Sequence, residues 1–164
     1  MLTGPNTNRL DSEDKINSIK IYARSKGLKI ISVGFYHEWC DYNLVLTPFE
    51  LLSLFKNADS VVTDTFHGTI FSIISRKPFV SLLRYENKMG SNSNKLNFLL
   101  SQLGLETRIY NYTEDLDIQL NERIQYDKVD DCLEMLRETS MQYICDALSL
   151  VSTASNEGVS ASCN

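Results

Sequence analysis

The chain has 164 residues, 43% of them hydrophobic and 23% charged, which suits one domain with a proper core. Its net charge is −5 with no basic stripe, so nucleic acid and anionic membranes are poor candidates as partners.

Residues 12–26 predict a helix. Ile16, Ile19 and Ala23 recur at helical spacing, Asp11 or Ser12 can cap the start, and Gly27 marks the stop. Arg24 and Lys26 suit the negative end of its dipole. LKIISVGF, 28–35, follows as a strand that is apolar on both faces. Thr47-Pro48-Phe49-Glu50 combines a capping box with proline at the first helical position, and Leu46 and Leu51 stand where a hydrophobic staple places them. That helix runs to about Asn57. SVVTD, 60–64, is the second clear strand. HGTIFSIISR, 67–76, predicts the next helix, with Ile70, Ile73 and Ile74 as core and Lys77-Pro78 as its end. PFVSLLR, 78–84, is the third strand.

A polar loop from Tyr85 to Ser93 leads to a helix near 94–103, closed by Gly104. Thr107-Arg108-Ile109-Tyr110 predicts a short strand, and 111–126 reads as loop. A long helix is expected over 128–150, followed by a small, polar tail, 151–164, of disordered composition. No internal repeat is present. No apolar run reaches the ~20 residues that span a bilayer. The opening MLTGPNTNRLD lacks the basic and apolar regions of a signal peptide. Cys40, Cys132, Cys145 and Cys163 show no CxxC spacing, which fits reduced thiols and a cytoplasmic location.

Helices that alternate with strands apolar on both faces predict an α/β domain with a doubly wound parallel sheet. Ligands of such sheets bind beyond the carboxyl ends of the strands. That rule gathers His37, Glu38 and Asp41 after the first clear strand, Asp64 to Gly68 after the second, and Arg84, Tyr85 and Lys88 after the third. Gly4 and Asn6 come after a strand whose start is missing, since MLTG reads as the end of one.

TDTFHGTIFS, 63–72, is the most informative of these corners. Asp64 or Thr65 can cap the helix. The first N–H groups of that helix have no intrahelical partner and carry partial positive charge, which makes an anion site. Gly68 removes a side chain where a ligand approaches the backbone. His67 can donate to an oxyanion or move a proton near neutral pH. The plain alternatives are that His67 is a surface residue, Asp64 only a cap and Arg84 a solvated strand end. His37 ranks lower because its loop has no framing pattern. GxSxG, GxxxxGK[ST] and GxGxxG are absent, and two histidines 30 residues apart make a weak metal case.

NADSVVTDTFHGTIFSIISRKPFV, 57–80, resembles the signature of the polysaccharide pyruvyl transferase family. TPFELLSLFKNAD resembles the helix before it, SNKLNFLLSQLGLE the segment after it, and IQYDKVDDCLEMLRETSMQYICDAL the closing helix, so the likeness spans most of 10–149. It implies one half of a two-domain, glycosyltransferase-like fold, with residues 1–150 as the C-terminal Rossmann-like domain and the N-terminal half missing. The implied reaction moves the enolpyruvyl group of phosphoenolpyruvate onto two hydroxyls of a saccharide acceptor, as a ketal, with no cofactor and no metal. The same resemblance makes His67 catalytic, and Asp64, Thr65, Phe66, Gly68, Thr69 and Arg84 are the residues expected to bind substrate beside it. Some family members carry Arg-Leu-His-Gly where this chain has Thr65-Phe66-His67-Gly68. Thr65 brings no charge, so either another cation balances the donor, with Arg84 and a residue of the missing half as the candidates, or the donor differs. A transferase of nucleotide-activated sugars and a non-catalytic binding domain are the alternatives.

Overall fold

A computed structural model of the protein describes residues 2–3, 13–83, 93–110 and 115–157. The chain divides into two compact units, Met1–Ile124 and Gln125–Asn164.

Five strands form a parallel sheet in the first unit: β1 (Leu2–Thr3), β2 (Ile31–Val33), β3 (Tyr42–Leu44), β4 (Val61–Thr63) and β5 (Phe79–Ser81). Their spatial order is β3-β2-β1-β4-β5. The helices of this unit are α1 (Glu13–Ser25), α2 (Pro48–Asn57), α3 (Phe66–Ile74), α4 (Ser93–Gln102) and α5 (Leu116–Asn121). The fold is therefore α/β around a parallel sheet.

Strand alternation sorts the core into two sets. Val62, Val80 and Leu82 cluster with Ile19 and Ala23 of α1 and with Leu116 and Leu120 of α5. The intervening positions point the other way. There Ser81 meets Thr69 of α3, and Phe55 of α2 packs edge-on against Phe71 of α3. Val61, Phe79 and Val80 are wholly buried, which suits strands apolar on both faces. Each such side chain contributes about 1.5–3 kcal/mol.

Local signals explain the helix boundaries. Thr47 caps α2: its Oγ1 accepts from Glu50 N at 3.4 Å, and the Glu50 carboxylate accepts from Thr47 N at 2.8 Å. That backbone bond holds the Glu50 pKa below the usual carboxylate range. α1 ends with Leu28 N donating to Ala23 O and Gly27, at φ 65°, donating to Arg24 O. α3 ends in the same pattern, but Arg76 holds the left-handed position at φ 53°.

Several boundaries differ from the expected ones. The strands are shorter than 28–35, 60–64 and 78–84. β3 was not expected, because its Tyr42 and Asn43 are exposed and lack the two-sided apolar pattern. Thr107–Tyr110 is not a strand. Glu106–Arg108 is a 3-10 turn, and only Ile109 bridges to Ser81. The loop expected over 111–126 contains α5, capped by the Asp115 carboxylate accepting from Asp117 N at 2.9 Å. Arg108 is buried beside it, donating to Gln119 O at 2.6 Å and pairing with the Glu122 carboxylate. Ile74 was expected in the core but is 66% exposed, since it ends α3 just before the chain turns.

The second unit holds α6 (Tyr126–Glu157), which continues past residue 150. Residues 158–164 lie outside the described residues. No helix among the described residues is long and apolar enough to cross a membrane.

Candidate functional site

All five strands are parallel, so their carboxyl ends share one edge of the sheet. The chain runs β1, β2, β3 to one side and then β4, β5 to the other, so the order reverses between β1 and β4. Connections diverge at such a point and leave a crevice. The turn from β4 to α3 lies there, and it carries Asp64 to Thr69.

Hydroxyl groups shape that turn. Thr65 is the N-cap of α3, and its Oγ1 accepts from Gly68 N at 3.0 Å. Thr63 Oγ1 accepts from Thr65 N at 3.1 Å and lies 3.0 Å from Thr65 Oγ1. Thr69 donates its hydroxyl to Thr65 O at 3.1 Å and meets the Ser81 hydroxyl at 2.7 Å. Backbone N–H of Thr69 also donates to Thr65 O, at 3.1 Å. The corner is thus tied to β4 on one side and β5 on the other.

Burial divides the expected site residues. Asp64 and Thr69 are wholly buried and Gly68 is buried, so they build the turn from within. Thr65 and Phe66 are half-buried, and His67 is exposed. The His67 ring stands edge-on to Phe66, with centroids 6.1 Å apart. Gly68 N is committed to the cap, but the helix offers no acceptor to the N–H groups of Phe66 and His67. The first turn of α3 therefore carries two backbone donors, the positive end of a helix dipole and an exposed imidazole. Arg84 lies outside the described residues, as do Gly4, Asn6, Tyr85 and Lys88.

The loop after β2 adds an unexpected feature. His37 is 2% exposed, and among the described residues neither ring nitrogen has a hydrogen-bond partner; the Trp39 indole N–H is in the same position. Their rings lie 5.6 Å apart. The loop is tightly held. Asn43 bonds both His37 N and His37 O, at 2.8 and 3.0 Å, and the Asp41 carboxylate accepts from Ile30 N at 2.8 Å. That last bond lowers the Asp41 pKa, while burial pushes the Cys40 thiol up to about 11. β2 and β4 are two strand spacings apart, about 10 Å, so this loop and the β4–α3 turn follow strands on either side of β1. Only the aromatic composition of FYHEWCDY hinted at it. Likewise, the hydroxyl residues that close the apolar runs VVT and FVS were the signal for Thr63 and Ser81. Among the described residues no cluster of His, Cys, Asp or Glu is arranged to hold a metal ion.

The family model described as polysaccharide pyruvyl transferase matches residues 6–87, half of the 164-residue chain. The matched stretch covers β2 to β5 and the whole β4–α3 corner. No curated protein and no solved structure was found to match the chain.

Proposed function

Because the chain belongs to the polysaccharide pyruvyl transferase family, we propose that it serves the transfer of pyruvate from phosphoenolpyruvate to a saccharide in surface polysaccharide biosynthesis. One observation carries the reading: the family match includes the corner at the sheet's reversal point whose helix start bears an exposed histidine and N–H groups without intrahelical acceptors. In the proposed reaction two sugar hydroxyls add to the same carbon of the enolpyruvyl group. One proton goes to the methylene carbon, which becomes methyl, and phosphate leaves with the other. His67 moves the proton, the Phe66 and His67 N–H groups hold an anionic oxygen, and Thr65 fixes the turn. Asp64, Gly68 and Thr69 support it, and Arg84 supplies the positive charge that Thr65 does not.

The proposal includes a doubly wound, Rossmann-like reading of the sheet. The strand order and the two sets of core contacts support it. It also includes an N-terminal half across the cleft and a cytoplasmic location.

Thermal shift tests the donor directly. Phosphoenolpyruvate should raise the melting temperature of residues 1–164, and nucleotide sugars should not. A ligand at 100 times its Kd stabilises by about 2.7 kcal/mol. His67→Ala should abolish that shift without unfolding the chain, and in the two-domain enzyme it should lower turnover by about 10²-fold or more. Stabilisation by nucleotide sugars alone would replace this reading with the glycosyltransferase one.

A further inference from the structure

The two edges of the sheet are finished differently. Beyond β5 the chain closes the edge itself: Ile109 bridges to Ser81, and Tyr110 N donates to Ser81 O at 3.0 Å. β3 forms the other edge, and no described strand lies beyond it. Tyr42 N donates to Ile30 O and Leu44 O accepts from Gly34 N, each at 3.1 Å, so Tyr42 and Leu44 face β2. Successive residues of a parallel ladder turn to alternate sides, so Asn43 turns both its N–H and its C=O outward. In a trans peptide C=O and N–H point opposite ways, so the Asp41 C=O and the Val45 N–H also point outward. Among the described residues none of these four groups meets a partner within the chain.

Edge strands are commonly guarded by lysine, proline or a bulge. Between Cys40 and Thr47 there is no Lys, Arg or Pro. The one charge, Asp41, has its carboxylate held on Ile30 N at 2.8 Å and Lys29 Nζ at 3.4 Å. The apolar side chains of this stretch are open: Val45 is 96% and Phe49 84% exposed, and Tyr42 and Leu52 are exposed too. Phe49 and Leu52 stand three residues apart on one face of α2. These four side chains leave roughly 500 Å² uncovered per copy, so two copies together reach the ~1,000 Å² that a specific interface buries.

We infer that β3 pairs antiparallel with β3 of a second copy, about a two-fold axis through Asn43, so that one sheet runs through both copies. The outward groups are self-complementary in that arrangement. Asn43 exchanges both bonds with Asn43 of the second copy, and each Val45 N–H meets the Asp41 C=O of the other chain. Such a two-fold interface closes on itself and is the commonest form of oligomer. Side chains agree. The register carries Leu44 through Val33, Thr3 and Thr63 to Ser81, so Leu44 and Tyr42 lie on the α3 side of the sheet. Tyr42 then stands opposite Leu44 of the second copy, an aromatic–aliphatic pair made twice. The inference is independent of the proposed reaction.

Sedimentation equilibrium of residues 1–164, with amide hydrogen exchange read at Asn43, tests it. The expected result is a monomer–dimer equilibrium in which Asn43 exchange slows as the dimer fills. Val45→Pro removes an outward N–H that β3 does not use toward β2, and it suits an extended Leu44 before it. It should leave the circular dichroism unchanged and raise the dimer Kd by about thirtyfold, the worth of two lost backbone bonds. The Asn43 exchange decides by itself even where the variant does not fold. A chain that stays monomeric at every concentration would overturn the inference. So would a dimer with unchanged Asn43 exchange, or with unchanged Kd in folded Val45→Pro, since another surface would then hold it. Slow Asn43 exchange that does not depend on concentration would overturn it as well, because the chain itself would then cover the edge.

Discussion

The hydroxyl pair behind the corner has a direction, and that direction predicts unequal costs. Thr69 Oγ1 donates to Thr65 O at 3.1 Å. Its single proton is thereby used, so in the 2.7 Å contact Ser81 must donate and Thr69 accept. Both residues are wholly buried, and water cannot replace either partner. Ser81→Ala removes one bond and strands no donor, at about 0.5–1.5 kcal/mol. Thr69→Val removes both bonds and leaves the Ser81 hydroxyl buried without an acceptor. Two lost bonds at about 1 kcal/mol each, with the low end of a 1–3 kcal/mol desolvation cost, come to about 3 kcal/mol. The double variant strands nothing, since Thr65 O keeps the Thr69 N–H, and should cost about 2 kcal/mol. Singles and double therefore fail to add by about 2 kcal/mol. Urea melts of the four proteins measure this directly. If Ser81→Ala costs as much as Thr69→Val, or if the two effects add, the proton order is wrong and the corner is not tied to β5 in this way.

Thr47→Ala should cost about 1 kcal/mol at pH 7, the usual worth of a cap. The Glu50 pKa is depressed in the fold, so its contribution is present above the ordinary glutamate range and lost as pH falls through the lower folded value. The stability gap between wild type and Glu50→Gln should accordingly shrink from pH 7 to pH 3 in urea melts. Burial raises the Cys40 thiol to about 11, so iodoacetamide at pH 8 should modify exposed Cys145 in the folded protein and Cys40 only after unfolding, read by peptide mass spectrometry. His37→Phe should stabilise by about 1 kcal/mol or more, because it removes buried ring nitrogens that have no partner among the described residues and keeps the ring volume. A loss of that size would show instead that the imidazole has a partner in solution.

The sequence exposed the elements that have a local cause. Thr47-Pro48-Phe49-Glu50 announced α2, Gly27 and Gly104 announced helix ends, and apolar runs announced β2, β4 and β5. The elements it concealed are held by distant partners. β3 is an edge strand whose exposed Tyr42 and Asn43 give no burial signal, and its pairing with β2 decides its conformation. α5 is too short for a period to emerge, and the buried Arg108 that donates to its carbonyls looks from the sequence like any surface charge. Ile74 failed for the opposite reason. Its periodicity was right, but a helix end lies where neighbouring elements no longer cover it.

The same distinction separates the two histidines. His67 was readable because its position relative to a strand end and a helix start is set within a few residues, and the structure leaves its ring exposed at the sheet's reversal point. His37 also follows a strand end, yet whether its ring faces solvent or protein depends on Asn43, Asp41 and the packing of Trp39, which no spacing rule encodes. Exposure then decides chemistry. An imidazole that exchanges protons with a bound donor must be accessible to it, and the exposed ring of His67 meets that condition of the proposed role. His37 would do so only if the bonds from Asn43 opened, at about 0.5–1.5 kcal/mol each. The proposed catalytic role is therefore placed on His67, and the His37 ring, whose nitrogens have no partner among the described residues, is a property of the loop after β2.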